Sequence, residues 1–269
     1  MLISFIFLLG TVIGSFLNVC IYRMPLSQSV VKPRSYCPHC KKRIAWYDNI
    51  PFLSFIFLGG RCRFCKNQIS LRYFIVELIT ASAFVLLYWR YGLSFNFFYY
   101  SIFLCGLIIA TFVDIQHRII PDEISIGGVI VGLILNIVRV FVLRASNYGF
   151  QTILDSLLGI IVGGGIIFLS GYLFDLVYFK LLKKPAIDGE TASMGGGDVK
   201  LLAMIGAFLG WQNALLTFFI APFFGVVIGI FNLIFKKEHT IAYGPFLCLG
   251  AIVSWYWADK ILSFLLLRY

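Results

Sequence analysis

Charge is what this sequence has least of. Only 13% of its 269 residues are charged and 60% are hydrophobic, where soluble proteins carry about 25% charged residues. That shortage excludes an ordinary soluble domain and predicts an all-α polytopic membrane protein, with the lipid bilayer as its surroundings. Acids number 12 and histidines three, so chemistry that needs either must draw on a few positions. Basic residues give a net charge of +10, but they collect in loops, where topology accounts for them. No nucleic-acid-binding module is visible, and no nucleic acid is expected as a partner. No Lys or Arg precedes the first apolar run and no A-x-A pattern follows it, which argues against a cleaved signal peptide. A G-x-G-x-x-G turn after a strand is also missing; Gly163-Gly164-Gly165 lies in an apolar run where close helix packing is its use.

What is present divides into apolar runs and one polar block. Leu2–Tyr22 is long enough to span a bilayer, at about 20 residues. Further spans are expected over Tyr73–Trp89, Phe95–Val113, Ile124–Leu143, Ile153–Leu182, Val199–Gly210, Ala214–Phe235 and Tyr243–Leu267, about eight in all. Basic residues follow the first run, beginning at Arg23, which places both termini outside and the block 23–72 in the cytoplasm. In that arrangement 17 of the 22 Lys and Arg residues fall inside, as positive-inside topology requires. The expected organisation is therefore a first transmembrane helix (1–22), a cytoplasmic cysteine-rich domain (23–72) and a seven-helix membrane domain (73–269).

The block holds Cys37-Pro-His-Cys40 and Cys62-Arg-Phe-Cys65. Two tight thiol pairs can supply a tetrahedral zinc site, and a segment too small for its own core needs such a staple. The spacing is slightly longer than the usual zinc-ribbon interval. A disulfide does not suit a cytoplasmic setting, and a redox C-x-x-C would expect a βαβ unit that the pattern lacks. His39 either replaces a cysteine or simply sits in the knuckle. Cys20, Cys105 and Cys248 lie in apolar runs and read as small hydrophobes.

Two carboxylates stand at the ends of apolar spans. Gly195-Gly196-Gly197-Asp198-Val199-Lys200 opens a span so short that its start is expected below the headgroups. Asp114 closes the third span. Two spans intervene, so parity puts both acids at the cytoplasmic side. Carboxylates at membrane depth are costly and usually functional, although an isolated Asp198 could serve as a helix cap. Paired over one water, two aspartates can act as acid and base in peptide hydrolysis. Lys200 either tunes Asp198 or snorkels to the interface, and Glu77 has a site role or a packing role. Asn18 reads as an interhelical hydrogen-bonding residue. Asp122 and Glu123, after Pro121, read as helix-start acids.

These residues carry a resemblance. Gly14-Ser-Phe-Leu-Asn-Val-Cys-Ile-Tyr-Arg-Met-Pro25, the double cysteine knuckle, Ile50-Pro-Phe-Leu-Ser54, Asp114-Ile-Gln-His-Arg-Ile-Ile-Pro-Asp122, Gly195-Gly-Gly-Asp-Val-Lys-Leu201 and Tyr243-Gly-Pro245 occur in the order found in bacterial type IV prepilin leader peptidases. The chain is similar to that family of G-x-G-D membrane aspartic proteases over almost its whole length. The resemblance implies an endopeptidase of the bacterial inner membrane that removes the basic leader of type IV prepilins or type II secretion pseudopilins after a glycine. It implies Asp114 and Asp198 as the catalytic pair, and Gly195, Gly196, Gly197 and Lys200 as the active-site loop. It also implies N-methylation of the new N-terminus with S-adenosylmethionine, at residues the sequence leaves unknown, and zinc at Cys37, Cys40, Cys62 and Cys65. The rival class is an ion or metal transporter with a cysteine-rich metal-loading domain, since intramembrane acids and glycine-broken helices also build ion sites.

Overall fold

A computed structural model describes residues 1–142, 149–181, 195–235 and 242–265. The span ends expected at Leu143, Leu182 and Leu267 lie outside the described residues. Among the described residues the chain is all-helical, and its only extended pairings are the isolated bridges Tyr36↔Arg43 and Arg61↔Gln68. The helices are α1 (Leu2–Arg23), α2 (Leu53–Phe57), α3 (Arg72–Tyr91), α4 (Phe95–His117), α5 (Asp122–Ile137), α6 (Gln151–Asp175), α7 (Gly196–Leu209), α8 (Trp211–Phe235) and α9 (Gly244–Leu265). Short π-helical turns extend α5 through Val142 and α6 through Leu181. Eight of these helices coincide with the eight expected runs. Six are long and apolar enough to cross a bilayer: α1, α3, α4, α8 and the extended α5 and α6. The other two are shorter: α7 has 14 residues, about 21 Å, and the apolar part of α9 is Gly244–Ala258.

The chain divides into two compact units, Met1–Val113 and Asp114–Tyr269. In the first, α1 and α3 pack closely. Asn18 sits in their seam, buried, and donates through Nδ2 to the Tyr73 carbonyl at 3.0 Å. This is the interhelical hydrogen bond expected of it.

In the second unit α7 is the central helix. Its residues Leu201, Leu202, Met204, Ile205, Ala207 and Phe208 are all buried, as befits a helix apolar on every side. It packs against α5, α6, α8 and α9. A small residue on each helix lets α6 and α7 meet backbone to backbone: a Cβ at Gly206 would lie 2.0 Å from the Gly159 carbonyl oxygen, and one at Gly159 would lie 2.2 Å from that of Gly206. Gly163 meets the Leu202 carbonyl in the same seam, which is the close-packing use expected for that glycine run. Next to this seam, Asn136 and Ser156 both donate to the Ala207 carbonyl, at 3.1 and 2.5 Å. Interhelical polar contacts of this kind supplement packing where lipid removes the hydrophobic drive.

Because backbone atoms cannot move aside, Gly206→Ala is expected to destabilise the protein by about 3 kcal/mol, the upper end of what overpacked cores typically show. The Gly127→Ala control, where an added Cβ meets nothing within 4 Å, should be neutral or slightly stabilising because alanine is the better helix former. Thermal unfolding in detergent measures both.

α7 ends where Gly210 takes φ +83° and returns its N–H to the Gly206 carbonyl at 2.8 Å, a positive-φ stop that favours glycine. At its other end Gly195 is extended, with φ −70° and ψ 135°. The fold therefore anchors α7 along its length and places its first turn, which carries Asp198, at one end of the unit.

Candidate active site

Four chain segments of the second unit converge at that end. Asp114 lies in the last turn of α4, is buried, and accepts a hydrogen bond from the Gly244 backbone N–H at 2.8 Å. Gly244 opens α9, so the start of that helix is directed at the Asp114 carboxylate. The turn from α4 to α5 is tight, with Arg118 at φ 56° and Pro121 as the N-cap of α5. It buries Ile120 between two glycines: an added Cβ would come within 3.2 Å of Ile120 at Gly197 and 3.3 Å at Gly244. Ile120 thus spaces the first turn of α7 from the first turn of α9.

Asp198 stands in the first turn of α7, with its N–H closing on the Gly195 carbonyl at 3.1 Å. Its carboxylate lies within electrostatic reach of Asp114 and of the Tyr243 phenol. The two aspartates named from the sequence are therefore neighbours across one small site, bounded by two helix starts, where the helix dipole favours negative charge. Gly195 and Gly196 are exposed and Gly197 is half-buried, so the loop before Asp198 is open to an incoming chain.

Lys200 takes a different partner from the one considered for it. Its Nζ pairs with Asp122 Oδ1 at 2.6 Å and joins α7 to α5. Both side chains are largely exposed, so the pair contributes little to stability, at most about 1 kcal/mol. Asp122 acts in this ion pair as well as standing at its helix start. Glu77, in the first unit, is buried and accepts the Phe52 N–H at 3.0 Å and the Ser15 hydroxyl, which is an anchoring role. Two site residues carried no assigned role in the sequence reading. Gly244 and Tyr243 were visible only as part of a Tyr-Gly-Pro stretch, and nothing local says that this stretch touches Asp114 130 positions earlier.

The cysteines form a second centre, within the first unit. The ligand atoms of Cys37, Cys40, Cys62 and Cys65 all lie within 4.8 Å of one another, and Cys37 Sγ and Cys65 Sγ are 3.9 Å apart. A tetrahedral zinc with bonds of about 2.3 Å needs sulfurs about 3.8 Å apart, so the cluster fits that ion. His39 is exposed and is not one of the four.

The two knuckles of the block repeat one backbone pattern. The Cys37 N–H bonds the Lys42 carbonyl and the Lys41 N–H bonds that of Cys37; Cys62 repeats this with Asn67 and Lys66. Lys41 and Lys66 each take φ 57° at the same step. In the second knuckle the backbone N–H groups of Cys65 and Phe64 draw the Cys62 thiol down to about 7, toward the thiolate a metal requires. Arg63 grips Asp48 through two bonds of 2.7 and 2.6 Å and holds its carboxyl below the usual range. If this centre holds zinc, the purified protein carries one ion per chain by elemental analysis. Replacing Cys40 with Ser then releases the metal and opens residues 23–72 to protease, since small metal-stapled segments lose their fold with the ion.

Residues 8–91 match the bacterial peptidase A24 N-terminal domain, and residues 101–230 match the type IV leader peptidase family. A prepilin leader peptidase/N-methyltransferase of Stutzerimonas stutzeri is 31% identical, over 94% of this chain and 90% of its own length. The chain belongs to the type IV leader peptidase family. A relative of the same description from Myxococcus xanthus is 38% identical over 86% of this chain; this chain spans 63% of that protein's length. One from Legionella pneumophila is 29% identical over 95% of this chain and 91% of its own. No solved structure matches the chain. Membership makes the chain a multi-pass membrane peptidase and removes the transporter as a rival.

Proposed function

We propose that this protein removes the leader of type IV prepilins or pseudopilins after a glycine and then methylates the new N-terminus with S-adenosylmethionine. The proposed setting is the inner membrane of a bacterium, with both termini outside and the aspartates and cysteine block at the cytoplasmic face. In domain terms, residues 1–22 form the first span, 23–72 the cysteine-rich insertion and 73–269 the proteolytic membrane domain. The prepilin substrate and the methyl transfer are carried over from the description of the relatives.

The observation that carries the hydrolytic half is the meeting of Asp114 and Asp198 at one end of a helical unit, beside an open glycine loop. One carboxylate takes a proton from a water molecule, and the water oxygen bonds to the scissile carbonyl carbon. The other, protonated, gives its proton to the carbonyl oxygen. Collapse of the tetrahedral carbon breaks the C–N bond: the departing amine takes up a proton from the carboxyl that received it, and one hydroxyl of the diol returns its proton to the other carboxylate, which restores the starting pair. Gly244 keeps Asp114 in one orientation through these steps. Zinc would be held by the four cysteines as a structural ion. Among the described residues no strand-to-helix glycine turn offers a familiar seat for S-adenosylmethionine, and no residues are assigned to it.

The test is to incubate the purified protein in detergent with a prepilin and follow leader release. A shortened pilin with an N-terminus one residue past glycine supports the proposal; an intact prepilin after prolonged incubation with folded, zinc-loaded protein refutes it.

A further inference from the structure

The segment Ile50–Leu58, inside the polar block, does not behave as a water-facing loop. Its rings meet the membrane helices of its own unit: Phe52 lies 4.8 Å from Phe74 of α3 and 5.9 Å from Phe7 of α1, and Phe55 lies 5.6 Å from Phe74, centroid to centroid. Phe7 is sixteen positions before Arg23 along α1, about 24 Å of helix at 1.5 Å per residue. Arg23 ends α1 on this side and marks the interface, where basic residues settle; α3 starts deeper, since its Tyr73 carbonyl meets Asn18 of α1. Glu77, which accepts the Phe52 N–H, lies beside Gly14 of α1, where an added Cβ would be 2.8 Å from the Glu77 Cα. That level is nine positions, about 14 Å, in from Arg23. A segment touching these residues has passed well below the headgroups.

Its backbone is equipped for that depth. The N–H groups of Ser54, Ile56, Leu58, Gly59 and Gly60 all close on carbonyls between Ile50 and Ile56, and the Ser54 hydroxyl turns back to the Ile50 carbonyl. The Phe52 N–H, which begins α2 at φ 62°, is taken by Glu77. Backbone at membrane depth must be satisfied without water, and these N–H groups are. The side chains on the other face are bare and apolar: Leu53 is 51%, Ile56 63% and Phe57 82% exposed. In water such a cluster would be a liability. In the same unit α1 also presents exposed apolar side chains, Phe5, Leu8, Val12 and Phe16.

We propose that Ile50–Leu58 is a re-entrant segment, held at its tip by Glu77, whose Leu53, Ile56 and Phe57 side chains lie against lipid acyl chains. The cysteine block is then seated in the membrane surface and its approach to the bilayer is fixed. Glu77 becomes the anchor of that seat.

A fluorescent amino acid encoded at position 57 tests this without disturbing the cysteines. The full-length protein is reconstituted in phosphatidylcholine/phosphatidylglycerol vesicles, and emission is quenched either by lipids brominated on the acyl chain or by aqueous iodide. The same label at position 42, on the exposed Lys42 of the first knuckle, is the water-facing reference. The ratio of bromolipid to iodide quenching should be at least several-fold higher at 57 than at 42. A ratio at 57 equal to or below that at 42 overturns the proposal, and so does quenching by neither agent, which would mean that protein covers the patch. A label at position 56 repeats the reading should the variant at 57 fail to fold. Glu77→Gln weakens the anchor and should raise iodide quenching at 57.

Discussion

Asp114→Asn and Asp198→Asn should each lower leader cleavage by about 10³-fold or more, near the upper end of what positioned acid–base groups supply. Asparagine keeps the shape of aspartate, and at position 114 its carbonyl can still accept the Gly244 N–H found at 2.8 Å. What it cannot do is exchange a proton with water. The folded protein should therefore persist, with unchanged zinc content and helicity, while hydrolysis is lost. Because the two groups serve one water, the double variant should be no slower than the slower single one, as for residues that act as a unit. Losses that multiply would mean that the two carboxylates work separately. Initial rates of leader release, measured with the same prepilin at saturating concentration, give all three numbers.

Gly244→Ala should reduce cleavage by about 10²-fold, the scale set by a misplacement near 1 Å. An added Cβ would stand 2.7 Å from Asp114 Oδ2, 3.2 Å from its Cγ and 3.3 Å from Ile120 Cδ1. The backbone at Gly244 is not in the left-handed region, so alanine fits the chain locally. The carboxylate is what must move. It swings off the Gly244 N–H and away from the water it shares with Asp198. The change acts on orientation rather than on substrate capture, so kcat should fall while KM stays within a factor of about two. A parallel rise in KM would place Gly244 in substrate binding instead. The same variant should melt close to the parent temperature, unlike Gly206→Ala.

Much of this arrangement was legible in the residues, and the reasons are physical. Apolar runs of bilayer length locate helices with little ambiguity, and α1, α3 and α4 begin and end within a few residues of where hydropathy puts them. Parity and basic loops bring Asp114 and Asp198 to one side before any coordinates. Two C-x-x-C pairs predict a cluster, and their sulfurs do gather. Contacts between distant positions are another matter. Lys200 sits two residues from Asp198, yet its ammonium goes to Asp122, because the α5 start lies within reach of the α7 start. Gly244 looks like a turn residue, and only the folding of the second unit, which brings the start of α9 to Asp114, makes its N–H a donor to that carboxylate. Ile50–Leu58 belongs to the polar block by position, whereas its ring contacts tie it to α1 and α3. Composition averaged over the block hides nine apolar-rich positions behind the lysines and arginines around them.

The most direct test of the paired-aspartate account is an experimental structure of the protein bound to a prepilin segment whose scissile peptide bond is replaced by a non-cleavable isostere bearing one hydroxyl. The account predicts that hydroxyl within hydrogen-bond reach, about 2.6–3.2 Å, of a carboxylate oxygen of both Asp114 and Asp198. A hydroxyl touched by only one of them, or held by other residues altogether, would contradict it.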